Sequence, residues 1–494
     1  MQKVALLILD GWGIGLPWAG NAIFLAKTPF YDESLIKFPN TSLQAAGEYV
    51  GLNPGEPGNS ESGHLNIGAG KVVYQNVKHI FDLIKNGSFY QNKVLLHALS
   101  RVKKNQSNLH LIGLVSDGGI HSHIDQLFAL LDLCKKEKVK NVFIHAICDG
   151  RDTEPQKALS YMEKLTNKLK SLNFGKISTI SGRFFAMDRD RHFERTNRAY
   201  EVMSIAKGMK ESNVRSAISK AYQRGETDEY INPTVIFPKP IENDDAVIFF
   251  NVRGDRSRQL ASAFYQDKKH KNLFLATFTF YGEYLSKVPF AFSPEKVNMP
   301  LAKVLSENGL TQFHIAETEK YAHVTYFFNG GIEKPFLKED RLMIPSKKVK
   351  SFADFPQMSA SEITEKMIDK IKQKKYQFVV ANFANVDMVG HCCNLKSTIT
   401  AVEEVNKQLR KAVEKLNVLG YTVVVTGDHG NAEQMVNSKT GETNPEHTEN
   451  PVPFIIFDLK YKIKNSGKLA DIAPTILSIM GLKIHREMTG KSLV

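Results

Sequence analysis

Three aspartates, Asp10, Asp387 and Asp428, stand at or just past the ends of short apolar runs, and two of them have a histidine close by, His391 and His429. Carboxylate oxygens and neutral imidazoles converging on one edge are a ligand set for divalent metals. The pattern points to metal-assisted chemistry. The most specific signal is Gly427-Asp428-His429-Gly430-Asn431. Adjacent side chains within a strand face opposite ways, whereas in a glycine-flanked loop both can turn to one ion. A buried, ion-paired histidine is the bland alternative for His429. Asp387-Met388-Val389-Gly390-His391 sets a carboxylate and an imidazole four residues apart, which suits a ligand pair and a surface ion pair equally. His447 lies in a polar loop ahead of Pro451-Val452-Pro453 and by itself says nothing. Residues 55–63 read as a glycine-rich loop holding an exposed serine, Ser60. Such a hydroxyl becomes a usable nucleophile where a metal lowers its pKa.

A second group of residues has different chemistry. Val115 leads to Asp117 and His121, Cys148 to Asp149, Arg151 and Asp152, Ile180 to Arg183, and Val252 to Arg253 and Arg256, with Arg189 in a run of alternating charges. Planar guanidiniums match carboxylate and phosphate bidentately, so several at strand ends favour an anion site over a solvated loop. Arg253-Gly254-Asp255 spells a cell-adhesion tripeptide, but a strand end in a chain read as intracellular argues against that role.

The elements that must position these residues alternate in type. Runs at 4–9, 377–383 and 421–426 are short and rich in Val, Ile and Leu, as expected of strands in a parallel sheet covered on both faces. Further strands are expected at 109–115, 142–148, 177–180, 247–252 and 274–280. Helices are expected at 158–169 and 399–416, the latter with Val402, Val405, Leu409, Ala412 and Leu416 on one face. The class is α/β with parallel sheets, whose ligands sit outside the carboxyl ends of the strands. At 494 residues the chain exceeds what one core serves, so two domains are expected. Metal-type endings occupy the outer thirds and arginine endings the middle. The simplest arrangement is therefore a discontinuous metal-binding domain, residues 1–75 and 297–494, with a substrate domain inserted at 76–296. The crossings would fall at 75–78 and 289–300, the latter marked by Pro289, Pro294 and Pro300.

Apolar residues make up 42% of the chain, enough for packed cores. The formal net charge of +13 would suit an anionic partner, but its lysines are scattered through helix-like segments and no nucleic-acid-binding motif accompanies them. Four cysteines without C-x-x-C spacing indicate a reducing compartment. The first apolar run is too short for a signal sequence, and no stretch approaches the roughly 18 apolar residues of a membrane span. A soluble, cytoplasmic monomer with no nucleic-acid or membrane partner is expected.

Long motifs strengthen this reading. Leu9-Asp10-Gly11-Trp12-Gly13, Gly58-Asn59-Ser60-Glu61, Ser116-Asp117-Gly118-Gly119-Ile120-His121-Ser122-His123, Asp149-Gly150-Arg151-Asp152, Ser181-Gly182-Arg183, Ala186-Met187-Asp188-Arg189-Asp190, Glu317-Thr318-Glu319-Lys320-Tyr321-Ala322-His323, the two metal motifs and Glu487-Met488-Thr489-Gly490-Lys491-Ser492-Leu493 occur in that order. With them the chain resembles the cofactor-independent phosphoglycerate mutases of the alkaline phosphatase superfamily, over nearly its whole length. The resemblance implies an alkaline-phosphatase-like metal domain and interconversion of 3-phosphoglycerate and 2-phosphoglycerate in glycolysis and gluconeogenesis, through a phosphoserine and without 2,3-bisphosphoglycerate. It implies two divalent ions, usually manganese, and Ser60 as nucleophile. Asp10, Ser60, Asp428 and His429 would hold one ion, and Asp387, His391 and His447 the other. His121, Arg151, Asp152, Arg183, Arg189, Arg253, Arg256 and Lys320 would line the substrate pocket, His121 moving a proton with Asp152 as partner. The chain departs from the family's pattern at Ser62 (usually valine), Gly254 (usually proline) and Cys392-Cys393 (more often Thr-Gly). Another metal phosphomonoester enzyme is the nearest rival, and a basic nucleic-acid-binding protein the rival of another class.

Overall fold

The central strand of the metal-motif half, Lys3–Leu9, shows how the sequence builds its sheet. It is flanked on both sides by parallel partners, Phe378–Phe383 and Tyr421–Gly427, and Val4 to Leu9 are all buried. Ala5, Leu7 and Leu9 enter one apolar cluster while Val4, Leu6 and Ile8 enter another. A strand buried on both faces reads as a continuous apolar run. The computed structural model describes residues 1–267, 269–293, 295–437 and 440–494. They divide into two units, Met1–Tyr74 with Lys296–Val494, and Gln75–Glu295. Pro294, expected to mark a crossing, lies outside the described residues. The other expected crossing runs straight into a helix, Asn76–Lys85.

The discontinuous unit carries an eight-stranded sheet in the order Glu339–Ile344, Gln312–Glu317, Phe378–Phe383, Lys3–Leu9, Tyr421–Gly427, Val452–Ile456, Asn40–Gln44, Gly467–Lys468. The first five are parallel. Val452–Ile456 runs antiparallel to both its neighbours, so the expected parallel sheet carries a mixed edge. The helix expected at 399–416 spans Leu395–Val418, capped by Asn394 through Ser397 N, and buries the expected face.

The continuous unit has a seven-stranded sheet in the order Met209–Lys210, Thr234–Val235, Lys176–Gly182, Val142–Cys148, Leu109–Leu114, Ala246–Phe249, Phe274–Thr277. Among the described residues only the Lys176–Gly182 and Thr234–Val235 pair is antiparallel. The strand expected at 247–252 stops at Phe249, because the Asn251 side chain, in place of a ladder carbonyl, accepts from Leu114 N at 2.8 Å. Among the described residues no helix is long and apolar enough to cross a membrane.

Candidate active site

In the discontinuous unit the motif residues meet beyond the carboxyl ends of the central strands. Asp10 follows Lys3–Leu9, and Asp428 and His429 follow Tyr421–Gly427. Asp387 sits on a short helix, Asn385–Gly390, after Phe378–Phe383. Backbone bonds stitch these ends together: Asp10 N donates to Phe383 O at 3.1 Å and Asp387 N to Asp10 O at 3.1 Å. Gly11 N donates to Asp428 Oδ1 at 3.2 Å. Gly11 has φ +74°, and a Cβ there would lie 2.8 Å from Asp387 Cα, so glycine is required by both conformation and space.

Ser60 is not the exposed loop serine that its glycine-rich surroundings suggest. It is 6% exposed and opens the helix Ser60–Ala69. Asn59 caps that helix by accepting from Ser62 N at 2.9 Å, which the turn-like composition conceals. Gly63 lets the helix close on the strand ends, since a Cβ there would meet Asp428 O at 2.5 Å. Ser60 Oγ thereby lies 2.9 Å from His429 Nε2, 3.3 Å from Asp10 Oδ1 and 2.6 Å from Lys320 Nζ.

Lys320, expected among the substrate arginines, belongs to this acidic cluster. Its ammonium is 2.6 Å from both Asp10 Oδ1 and Asp387 Oδ2. Burial opposes the charged form, but Asp10 and Asp387 raise its pKa above the ordinary lysine range. The reverse holds for Asp10 and Asp387: burial would raise them, and the Lys320 ammonium keeps both well below the carboxylate range. His429 is pushed up to about 9, against its burial, chiefly by Asp428, Asp10 and Asp387. The position attracts positive charge, whether a proton or a metal ion.

The donor set fits metal ions. Asp387 Oδ1 and Asp428 Oδ2 are buried and accept no hydrogen bond. Nδ1 of His391, His447 and His429 lies at 2.8, 2.8 and 3.2 Å from the carbonyls of Pro445, Gly58 and Gly430. A carbonyl only accepts, so Nδ1 carries a proton, and in the neutral ring Nε2 turns its lone pair inward. His391 Nε2 and His447 Nε2 then face each other at 3.0 Å and face Asp387 Oδ1 at 3.3 and 3.1 Å. With the rings neutral, acceptors crowd against acceptors, and a cation, metal ion or proton, relieves them. The ligand atoms of Asp10, Asp428 and His429 lie within 4.8 Å of one another, as do those of Asp387, His429 and His447. Supporting residues that the sequence did not single out are Asn382, donating to Asp10 Oδ2 at 2.7 Å, and His64, with Nδ1 3.3 Å from Asp428 Oδ2. Neither sits in a motif with an evident chemical role, so no signal marked them.

The continuous unit brings together the second group. Arg183, 3% exposed, opens a short helix after Lys176–Gly182 and holds Asp149 Oδ1 at 2.6 Å and Asp152 Oδ2 at 2.9 Å. Asp149 also accepts from Ser116 Oγ at 2.6 Å and from Asp152 N at 3.0 Å, which fixes the Asp149-to-Asp152 turn. Burial raises the Asp152 pKa, and Arg183 does not fully offset it. Arg189 Nη1 and Arg253 Nε lie 3.1 and 3.2 Å from the two oxygens of Asp255. Burial and the guanidiniums of Arg189, Arg151 and Arg183 lower the pKa of Arg256, so these cations crowd one another. Burial and then Arg183, with Arg253 and Arg256, depress His121 to about 4 in spite of Asp255. A buried imidazole beside several closely spaced guanidiniums, of which Arg183, Arg189 and Arg253 already face carboxylates, has the chemistry to receive a small polyanion.

Fold and site together define the class: an α/β, metal-dependent phosphoryl-transfer enzyme of the alkaline phosphatase superfamily. Residues 80–284 match the family model "BPG-independent PGAM N-terminus" and residues 280–479 match "Type I phosphodiesterase / nucleotide pyrophosphatase". The chain is 48% identical to the 2,3-bisphosphoglycerate-independent phosphoglycerate mutase 1 of Methanosarcina acetivorans, covering 100% of this chain and 98% of that protein. It is 45% identical to the 2,3-bisphosphoglycerate-independent phosphoglycerate mutase of Clostridioides difficile, over 100% and 99%. The solved Leishmania mexicana phosphoglycerate mutase superposes with a TM-score of 0.73 at 30% identity, covering 100% of this chain and 97% of that one. The chain belongs to the 2,3-bisphosphoglycerate-independent phosphoglycerate mutases.

Proposed function

We propose that this chain interconverts 3-phosphoglycerate and 2-phosphoglycerate by way of a phosphoserine on Ser60. The observation that carries the reading is the Ser60 hydroxyl, buried among Lys320, His429 and Asp10 at 2.6, 2.9 and 3.3 Å, in a cluster selective for positive charge. Asp10, Ser60, Asp428 and His429 would hold one divalent ion, and Asp387, His391 and His447 a second. Such ions lower the pKa of a hydroxyl and neutralise phosphoryl charge. We assign manganese, on the mixed oxygen and nitrogen donors. The four free cysteines support a reducing, cytoplasmic setting, and the chain is read as a monomer.

Ser60 enters the step as the alkoxide, its proton already lost to solvent. The Oγ–P bond forms as the ester O–P bond breaks. Lys320 stays an ammonium and balances charge on the phosphoryl oxygens. Arg151, Arg183, Arg189, Arg253 and Arg256 hold the substrate's anionic groups. Burial and then the neighbouring guanidiniums keep His121 neutral in the free protein, and an arriving polyanion offsets the guanidiniums, favouring its protonated form. His121 then gives a proton to the departing glycerate oxygen and takes one from the other hydroxyl as the phosphoryl group returns.

The test is to supply the metal-loaded protein with 3-phosphoglycerate and no bisphosphoglycerate, following products by phosphorus NMR. Formation of 2-phosphoglycerate is expected. Release of inorganic phosphate without it would make the chain a phosphatase instead.

A further inference from the structure

We propose that Asp255 is the positioning partner of His121, accepting from Nδ1 so that Nε2 is the nitrogen that exchanges protons with substrate. The family resemblance pairs His121 with Asp152, whose Oδ2 lies 2.9 Å from Arg183 Nη1. The carboxylate facing the ring is Asp255, with Oδ1 3.8 Å from His121 Nδ1. Both atoms are buried and make no hydrogen bond. A buried ring nitrogen without a hydrogen bond, opposite a carboxylate oxygen whose nearest cation, Arg253 Nε at 3.2 Å, makes no hydrogen bond to it, forms a pair that a displacement of about 1 Å converts into a hydrogen bond. Catalytic hydrogen bonds are often this long before substrate arrives.

The loop is built to hold this alignment. Val252 N donates to His121 O at 2.8 Å, tying the two backbones together. Asn251 Nδ2 donates to Ser257 Oγ at 2.7 Å, and Tyr281 Oη to Asn251 O at 2.7 Å. Gly254 packs where a Cβ would lie 2.7 Å from Tyr281 Cα, so the loop lies tight against Tyr281. Arg189 at 3.1 Å from Oδ2 and Arg253 at 3.2 Å from Oδ1 fix the carboxylate itself. One acidic side chain thus orients two anion-binding arginines and the imidazole. Its charge opposes Arg183, Arg253 and Arg256, which all disfavour a proton on His121. Without it the ring would be a weaker base and free to take the other tautomer.

The role rests on the mutase reading, so the test separates the two. Asp255→Asn keeps an acceptor oxygen for the arginines, and Asp255→Ala removes it. In the full-length, metal-loaded protein, nitrogen NMR of the His121 ring should show the Nδ1–H tautomer in the wild type and a mixture in Asp255→Ala. The ring's titration midpoint should fall further in both variants. In Asp255→Asn, kcat should fall at least about tenfold while KM changes by less than about threefold, the mark of a group needed in the proton-transfer step. Unchanged tautomer and midpoint, or unchanged kcat, would overturn the assignment. A wild type that turns over no phosphoglycerate would sink the mutase reading alone, and the ring spectra would still decide whether Asp255 sets the tautomer.

Discussion

Ser60 and Ser62 lie two positions apart on one helix, yet they face different surroundings. Ser60 Oγ is in the acidic cluster, whereas Ser62 Oγ bonds back to Asn59 O at 3.2 Å. Ser60→Ala should lower mutase turnover by at least about a thousandfold with bound metal largely retained, and Ser62→Ala should stay within about threefold of the wild type. A coupled assay and elemental analysis would check both. His121 carries a pH signature in stability. Its pKa, depressed to about 4, lies below the 6.5 of an exposed histidine, so the unfolded chain takes up the proton first. The stability it contributes is complete above 6.5 and is lost as pH falls from 6.5 towards 4, by at most on the order of 3 kcal/mol. Urea midpoints of the wild type should therefore drop more steeply between pH 7 and 5 than those of His121→Gln. Equal slopes would show that the ring is not held neutral by its surroundings. At this scale the sequence was most legible where a motif names its own chemistry, as in Gly427-Asp428-His429-Gly430. It was silent on Asn382 and His64, whose roles exist only through contacts made hundreds of residues away.

Strands with continuous apolar runs were legible to within a few residues, because burial on both faces leaves no polar positions to confuse the pattern. Gln312–Glu317 and Glu339–Ile344 went unseen for the opposite reason. In the first, Gln312 and His314 are buried and bond each other at 3.2 Å, so polar residues sit where apolar ones are expected. The helix carrying Ser60 was read as a loop, since Gly, Asn and Ser serve a cap and a close approach as readily as a turn. That cap is testable. Asn59→Ala removes the acceptor for Ser62 N and should lower stability by about 1 kcal/mol in urea titrations, while loosening Ser60 enough to reduce kcat. A variant equal to wild type in both would show that packing of Gly63 on Asp428 alone fixes the helix start.

On the scale of the whole chain, metal-type residues belong to one unit and arginines to the other, and this division predicts separable defects. Arg253→Ala should weaken phosphoglycerate turnover about ten- to a hundredfold, the worth of one charge-assisted hydrogen bond. Both ions should remain bound, and slow phosphorylation of Ser60 by an activated aryl phosphate should persist. Loss of both metals in this variant, seen by elemental analysis, would show that the two chemistries are not separable. The discontinuity has a further consequence, for how the molecule is made. Lys3–Leu9 pairs with Phe378–Phe383 and Tyr421–Gly427, strands that do not exist when it leaves the ribosome. At roughly 5 to 20 residues per second, the roughly 370 intervening residues leave this apolar segment without neighbours for some 20 to 75 s, while the continuous unit has every strand it needs much earlier. Proteolysis of stalled nascent chains should find residues 75–295 protected while the first 74 are still cleaved, and a chaperone that shields bare apolar segments should be found on the N-terminal strand first.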